Sequence, residues 1–323
     1  MQEADYTPLL TFLRPLQKWL EDPEVKDIHI RRPGVIWVKT TGGKERHEVP
    51  DLSFKRLLGI AEIAATIEGK RITEQTPWLD CSFPGGARVH IKIPPFTAPG
   101  TVSVAIRLPR AQNWTLDQVA ARGTFARTKL IQRSDCDPEL AGLSDVPQLL
   151  HQLVLRRRTI GVTGSVGSGK TTLMNALLKL VPLDECVITV QDVSEVDLPH
   201  EDWSQSFVSF TSNAVTAVDP SVALRSALRD DGDRLFVGEL RGAEAAMWLN
   251  AINTGYAGSI ASWHANMGLE AACQRLADMI TDANPQGDNR RLFEQSLRYI
   301  DCVVHMRRDI SGKVYECAEI TYR

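Results

Sequence analysis

The stretch that decides the fold of this chain is Gly164-Ser165-Val166-Gly167-Ser168-Gly169-Lys170-Thr171, which matches the pattern GxxxxGK[ST]. Residues 159–163 before it are short, β-branched and apolar, as expected for a buried parallel strand. Residues 172–180 after it are typical of a helix, which Pro182 ends. Because a phosphate-binding loop requires this order of strand, loop and helix, the sequence predicts a site for a nucleoside triphosphate. Whether that is ATP or GTP stays open at this point.

Each part of the loop has a chemical reason. Glycines let the backbone wrap closely enough for its N–H groups to point at phosphate oxygens, and the helix adds its positive end. We expect residues 164–171 and Thr172 to contact the phosphates, with Lys170 neutralising the β- and γ-phosphates and Thr171 holding Mg²⁺. A glycine-rich turn without function is the alternative, and Lys170 and Thr171 at their required positions argue against it.

The composition is that of a soluble globular protein. The chain has 323 residues, 43% hydrophobic and 24% charged, enough for two domains. The formal net charge of -3 argues against nucleic acid as the main partner, and neither a secretion signal nor a membrane span is visible. Six cysteines without CxxC pairs indicate reduced thiols and a cytoplasmic location, namely Cys81, Cys136, Cys186, Cys273, Cys302 and Cys317.

The pattern along the chain predicts two domains. Residues 1–110 carry helical signals near 6–20 and 53–68 and several short alternating strands, as in a small α+β domain. Residues 111–147 are polar, with one capping box at 115–118, and are interpreted as a linker. Residues 148–323 form the second domain, α/β in class, in which strands alternate with helices and predict a parallel sheet covered on both faces. We expect those strands at 159–163, 187–191, 234–238, 258–263 and 301–306.

Four further segments narrow this fold to a family. They are VITVQDVSE at 187–195, RLFVGELRGAEA at 234–245, NTGYAGS at 253–259 and WHAN at 263–266. With these segments the chain resembles the hexameric secretion ATPases of bacterial type IV secretion systems, within the traffic ATPase superfamily. The resemblance extends into the first domain through RPG at 32–34, GARV at 86–89 and VAIRLP at 104–109. It implies a RecA-like P-loop NTPase domain with a smaller N-terminal α+β domain, and ATP and Mg²⁺ as cofactors.

Carboxylates are expected at the same edge of the sheet as the phosphate loop. Asp192 and Glu195 follow a predicted strand and could position metal or water, although helix-capping acids would show the same pattern. Glu239 ends another apolar strand and resembles the Walker B glutamate of the family, with Gly238 in place of the aspartate of other ATPases. By this resemblance Glu239 coordinates Mg²⁺ through water. An exposed surface glutamate is the alternative.

Histidine and arginine candidates also come from the resemblance. His264 corresponds to the family's His box, where an imidazole reaches the γ-phosphate, whereas a satisfied core histidine is the alternative. Arg88 and Arg107 end strands of the first domain and, by resemblance, close over the nucleotide. Without the resemblance, the alternative is that Arg88 and Arg107 are surface arginines on an antiparallel sheet. Arg229 and Arg241 match arginines that contact nucleotide or a neighbouring subunit.

One departure from the family bears on catalysis. Gln191-Asp192 stands where the family usually carries Glu-Asp, and that glutamate is the favoured activator of the attacking water. Glutamine can orient water but cannot accept a proton at neutral pH. The base is therefore open between Glu195 and Glu239, and slow turnover is a third interpretation.

The expected function is a hexameric ring ATPase that drives pilus biogenesis and substrate translocation in type IV secretion or conjugation. We expect it on the cytoplasmic face of the bacterial inner membrane, held there by other inner-membrane components and a coupling ATPase, without direct nucleic-acid binding. A RecA-like nucleic-acid motor, a type II secretion or type IV pilus ATPase, and a nucleotide-binding assembly module that barely hydrolyses are the alternatives. The triplet Arg156-Arg157-Arg158 suggests either an anionic partner or a polar helix end.

Overall fold

The computed structural model describes residues 6–40, 43–108, 113–192, 196, 198–208, 218–308 and 315–323. The chain divides into two compact units, residues 1–110 and 111–323. No described helix combines the length and the apolar character that crossing a membrane requires.

The first unit is built on a six-stranded antiparallel sheet. Numbered along the chain and given in spatial order, its strands are β3 (Gly43–Glu48), β2 (Val35–Thr40), β1 (Val25–Arg32), β6 (Ser103–Arg107), β5 (Ala87–Lys92) and β4 (Trp78–Phe83). The strands form because apolar and polar residues alternate, so that every second side chain enters the core. In β5, for example, Ala87, Val89 and Ile91 are buried.

The helices of the first unit complete its core. They are α1 (Thr7–Leu13), α2 (Gln17–Glu21) and α3 (Phe54–Ile67). The single helix predicted over residues 6–20 is interrupted by a 3₁₀ turn, Arg14–Leu16, because Pro15 cannot donate the backbone hydrogen bond that a continuous helix needs. Apolar side chains of both short helices, Leu9, Leu13 and Trp19 among them, are buried.

The second unit contains an eight-stranded mixed sheet. In spatial order its strands are β10 (Trp203–Phe207), β9 (Val187–Gln191), β11 (Arg234–Leu240), β12 (Ile260–Trp263), β8 (Ile160–Gly164), β13 (Cys302–Arg308), β14 (Tyr315–Tyr322) and β7 (Lys129–Gln132). The first six are parallel, and five of them are the predicted parallel strands, whereas β10 was not predicted; β14 runs antiparallel to β13. The prediction of a purely parallel sheet was therefore wrong at this end.

Helices cover both faces of this sheet, and two apolar clusters fill the layers between them. They are α4 (Leu116–Ala121), α5 (Val146–Leu155), α6 (Lys170–Leu178), α7 (Pro220–Ala227), α8 (Glu244–Thr254), α9 (Leu269–Ala283) and α10 (Asn289–Tyr299). The central strands β8 and β9 are buried along their whole length, since both of their faces meet helices.

The segment predicted to be a linker, residues 111–147, belongs to the second unit. It contains α4, which begins at the predicted capping box, and β7, which pairs with β14. Helix α5 also begins two residues before the expected domain boundary, at Val146. The polar sequence concealed this role because an edge strand is held by backbone hydrogen bonds and does not need an apolar face on both sides.

A buried arginine connects several segments at the end of the sheet where the parallel strands begin. Arg234, the first residue of β11, is 0% exposed. Its guanidinium donates to both carboxylate oxygens of Glu185, at 2.5 and 3.2 Å, and to the backbone carbonyls of Val154 and Gly258, at 3.0 and 3.4 Å. Burial alone would raise the pKa of Glu185, but the hydrogen bond and charge of Arg234, with the charge of Arg157, lower it.

The arginine triplet lies at this same edge, at the end of α5 and in the turn before β8. Its ion pairs join Arg156 to Asp137 and Glu139, Arg157 to Glu185 and Asp233, and Arg158 to Asp137 and Asp301. Carboxylates of the same unit thus neutralise these arginines, which favours the polar helix end over a site for an anionic partner.

We expect Arg234→Ala to lower the free energy of unfolding by about 3–5 kcal/mol, because it leaves Glu185 without its main partner and removes a donor from the carbonyls of Val154 and Gly258. Urea denaturation measures this. The control is Arg290→Ala, which removes an 88% exposed arginine paired only with Glu294 and should cost less than about 0.5 kcal/mol. Equal losses in the two variants would contradict the assignment.

The pH dependence gives a second measurement on the same variant. Since the pKa of Glu185 is lowered in the folded state, its stabilising contribution is present above the unfolded pKa and is lost as pH falls through the lowered folded value. Arg234→Ala should therefore show a smaller loss of stability on acidification than the wild type.

Candidate functional site

The loop between β8 and α6 has a shape that only glycine permits. Gly164, Gly167 and Gly169 have φ values of 138°, 68° and 93°, in the region that other residues rarely adopt. A Cβ atom on Gly164 would overlap the backbone carbonyl of Met306, and one on Gly169 would lie 2.9 Å from Cγ of Tyr315. The loop is therefore a close-fitting backbone cradle, as phosphate binding requires.

Helix α6 begins directly at this cradle. Its N-cap is Gly169, which offers no side chain to the amides of the first turn. Lys170 is 8% exposed, and its Nζ donates to the carbonyls of Gly164 and Ser165 at 3.1 and 3.2 Å. Thr171 and Thr172 follow, half-buried. This arrangement of amides, ammonium and hydroxyl fits a phosphate chain with its metal ion.

Two carboxylates meet one guanidinium at the edge where the parallel strands end. Nη2 of Arg241 lies 2.8 Å from Oε2 of Glu239, near the end of β11, and 3.1 Å from Oδ2 of Asp192, just after β9. Burial would lower the pKa of Arg241, but the hydrogen bond and charge of Glu239, with Asp192 and Glu244, raise it. Carboxylates placed in this way could hold Mg²⁺ through water, since that ion keeps most of its waters and needs only one or two protein ligands.

His264 connects the carboxylates with the phosphate loop. Its Nε2 lies 3.0 Å from Oε1 of Glu239, and its Nδ1 lies 2.7 Å from the Gly164 carbonyl and 3.3 Å from Nζ of Lys170. A carboxylate and a carbonyl only accept hydrogen bonds, so both ring nitrogens of His264 face acceptors. The imidazole is anchored by its neighbour Trp263, which is 0% exposed and donates to the carbonyl of Ala272 at 3.0 Å.

Gln191, the last residue of β9, is 3% exposed, and its Nε2 is 3.5 Å from Oγ1 of Thr189. A Cβ on Gly238 would lie 3.2 Å from Cβ of Gln191. Gln191 and Gly238 therefore pack closely, and a larger residue at 238 would crowd the glutamine.

The remaining predicted site residues are Arg88, Arg107, Arg229 and Glu195. Arg88 and Arg107 belong to the first unit, where they stand directly opposite each other on β5 and β6. Arg229 is exposed in the turn after α7, five residues before β11 begins, and thus near the opposite edge of the sheet from the phosphate loop. Glu195 lies outside the described residues.

Sequence reasoning missed four side chains that support the site. Glu244 accepts hydrogen bonds from the backbone N–H groups of Arg241 and Gly242, at 2.5 and 2.9 Å, and so shapes the turn that carries Arg241. His305 on β13 shares a hydrogen bond of 3.0 Å with Thr163. Burial lowers the pKa of His305, and the charges of Arg307 and Lys170 lower it further. Of these residues, Glu244 alone had a local sequence signal, because a glutamate in the first turn of a helix, here α8, is typical of a helix N-terminus.

The other two are Arg308, the last residue of β13, and Tyr315, the first residue of β14, which pair with each other in the β13–β14 hairpin. Nε of Arg308 donates to the carbonyl of Gly167 at 2.6 Å, and Tyr315 packs against Gly169. Nothing in the local sequence pattern connects these positions with a loop about 140 residues earlier, as the hydrogen bond does.

Comparison with known proteins identifies the family. Residues 11–307 match the family described as Type II/IV secretion system protein. The type IV secretion system protein VirB11 of Bartonella henselae is 31% identical over 97% of this chain and 92% of its own length. That of Brucella suis is 33% identical over 96% of this chain and 89% of its own length.

Solved structures give the same result. The VirB11 ATPase from the Brucella suis type IV secretion system is 31% identical, with a TM-score of 0.52, and the match covers 98% of each chain. The pilus retraction motor PilT, 19% identical with a TM-score of 0.61 over 96% of this chain and 82% of its own, supports the fold alone. The predicted RecA-like P-loop fold and the resemblance to type IV secretion ATPases are confirmed, and the chain belongs to the type II/IV secretion system protein family.

Proposed function

We propose that this chain is an ATPase of a type IV secretion system, which couples binding and hydrolysis of ATP to pilus biogenesis and substrate translocation. The observation that carries the proposal is the continuous set of contacts from the Gly164 carbonyl through His264 to Glu239 and Arg241. It joins the phosphate cradle to the carboxylates that hydrolysis needs. Membership of the family and the VirB11 relatives support the same function.

The side chains of the second unit have different chemical roles in this proposal. Lys170, with the amides of residues 164–172, binds the phosphates. Thr171, Glu239 and Asp192 are placed to hold Mg²⁺, which when bound neutralises charge on the β- and γ-phosphates. His264 touches both the cradle and Glu239, so a change at the γ-phosphate position reaches the carboxylate through one side chain.

Glu239 is the base that the geometry supports best. Its side chain is 19% exposed, so water can reach it, and His264 and Arg241 orient both of its oxygens. Gln191 is buried and carries no basic group. In this proposal Gln191 helps to position water or a neighbouring group, and no step of the hydrolysis is assigned to Glu195.

Arginines supply the remaining positive charge. Arg88 and Arg107 are directly opposite each other on the adjacent strands β5 and β6, so their positive charges lie close together. We assign this pair to the phosphates of the nucleotide and Arg241 to the carboxylates and the transferred phosphoryl group. Arg229, near the opposite sheet edge, fits contact with a neighbouring subunit better than contact with nucleotide in its own chain.

The working form in this proposal is a homohexameric ring on the cytoplasmic face of the bacterial inner membrane. Its partners are the inner-membrane components and the coupling ATPase of the secretion system, through which the ring associates with the membrane. The VirB11 relatives, named as type IV secretion system proteins, support this setting. The neutralised arginine triplet gives no support to a nucleic-acid motor.

We expect Lys170→Ala and Glu239→Gln to fail in different ways. Lys170→Ala should weaken ATP binding and lower kcat/KM at least about 100-fold, because the main charge on the phosphates is gone. Glu239→Gln should keep ATP binding within about threefold but lower kcat about 100-fold or more, because the base is lost. Phosphate release and binding of a fluorescent ATP analogue measure both. Glu201→Gln, which changes an exposed carboxylate, is the control, and hydrolysis by Lys170→Ala at the wild-type rate would disprove the site.

Gln191→Glu separates the two candidate positions for the base. The new carboxylate would be almost fully buried, since residue 191 is 3% exposed, so its ionised form is disfavoured. We therefore expect kcat within about twofold of the wild type at pH 7, with activity that rises with pH. A kcat increase of about tenfold or more at pH 7 would instead make residue 191 the position of the base.

Assembly is tested by sedimentation velocity at micromolar concentration, with and without ATP and Mg²⁺. We expect the wild type to form a hexamer with nucleotide, and Lys170→Ala to respond less to ATP because it binds the phosphates weakly. A wild type that stays monomeric under both conditions would contradict the ring.

A further inference from the structure

The β13–β14 hairpin bears directly on the phosphate loop. Strand β13 is the parallel neighbour of β8, with Met306 in register with Gly164, and it continues two residues beyond the start of the loop. A side chain on any of the three loop glycines would meet this hairpin: Met306 beside Gly164, Arg308 beside Gly167 and Tyr315 beside Gly169. The loop is thus bounded on this flank by the hairpin and on the other by β12 with His264.

Arg308 makes the polar contact on this flank. Its Nε donates to the Gly167 carbonyl at 2.6 Å, and its guanidinium carbon lies 5.8 Å from the centre of the Tyr315 ring. The hydrogen bond fixes the orientation of the peptide that follows Gly167, in the middle of the cradle. Without it, two glycines in the left-handed region would leave this part of the loop free to adopt other conformations.

The charge of Arg308 distinguishes it from its neighbours. Arg307, one residue earlier, pairs with the buried Glu316 at 2.9 Å, and Arg323 at the end of β14 pairs with Asp301 at 2.7 Å. Within the part of the chain that the structure describes, Arg308 has no carboxylate within ion-pair distance. A carbonyl satisfies its donor without neutralising it, so a positive charge remains beside the phosphate cradle.

We infer that Arg308 is a positioning residue of the nucleotide site, which holds the phosphate loop in its binding conformation and adds positive charge to the flank opposite Glu239 and His264. The inference rests on the proposed function, because it assumes that this loop binds ATP. It assigns to the hairpin a role in nucleotide affinity, whereas the groups around Glu239 serve hydrolysis.

The test compares full-length wild type with Arg308→Ala, Arg308→Lys and the matched control Arg307→Ala. Binding of a fluorescent ATP analogue, KM and kcat for ATP, and hydrogen exchange of the amides of residues 164–170 are measured. We expect Arg308→Ala to raise Kd and KM about tenfold, to lower kcat less than about threefold, and to speed exchange in the loop. Arg308→Lys keeps the charge and should recover most of the affinity, while Arg307→Ala should bind ATP as the wild type does.

The outcomes separate this inference from the proposed function. If Lys170→Ala abolishes hydrolysis but Arg308→Ala keeps the wild-type Kd and loop exchange, the inference fails and the ATPase assignment stands. An equal affinity loss in Arg307→Ala would also overturn it, because the effect would then belong to the strand. Should Arg308→Ala not fold, Arg308→Gln replaces it: a raised KM with unchanged kcat supports the inference, and wild-type kinetics refute it. A wild type that hydrolyses no more ATP than Lys170→Ala would remove the proposed function itself.

Discussion

The close packing around the end of β8 is the constraint on which the rest of the site depends. The strand lies between β12 and β13, and neither Gly161 within it nor Gly164 at its end has space for a side chain, because the Trp263 ring and the Met306 carbonyl fill it. Trp263 in turn packs against Trp248, with ring centres 5.8 Å apart. The same packing that buries these tryptophans therefore sets the position of His264, the next residue, against the phosphate loop. Core packing therefore determines the geometry of the site, because a close-packed protein interior transmits small displacements.

The two flanks of the phosphate loop differ in charge, and this difference sets how a bound phosphate chain is oriented in the site. On the β12 flank lie Glu239 and Asp192, bridged by Arg241, and His264 joins them to the loop. On the β13 flank lies Arg308, bonded to a carbonyl, and His305, which the lowered pKa keeps neutral beside Lys170. A carboxylate flank suits a metal ion and an attacking water, whereas a cationic flank suits phosphate oxygens alone. The end of the phosphate chain at which hydrolysis occurs is therefore set by which neighbouring strand carries acids.

Sequence reasoning predicted those parts of the fold that local patterns encode. The strands at 187–191 and 301–306 were placed within two residues of their observed bounds, because both are short and mainly apolar. The phosphate-loop motif was recognised because its spacing follows from the chemistry, and Glu239 because it ends an apolar strand and resembles the family's Walker B glutamate. Strands β7, β10 and β14 were missed; β7 and β10 carry polar residues that are held by pairing with distant strands, and Arg308 was missed because its partner lies far away in sequence. Arg229, which matches a family arginine, lies five residues before the Walker B strand begins.

The contact between residues 191 and 238 constrains what either position can carry. A glutamate at 191 would place a carboxylate in a position that is only 3% exposed, where desolvation opposes ionisation. An aspartate at 238 would press against the same side chain, since even a Cβ there comes within 3.2 Å of it. Glutamine at 191 and glycine at 238 avoid both problems, and the carboxylates in contact with Arg241 are Glu239 and Asp192, each partly exposed. The acid chemistry of the site therefore lies on these two residues, of which Glu239 also contacts His264.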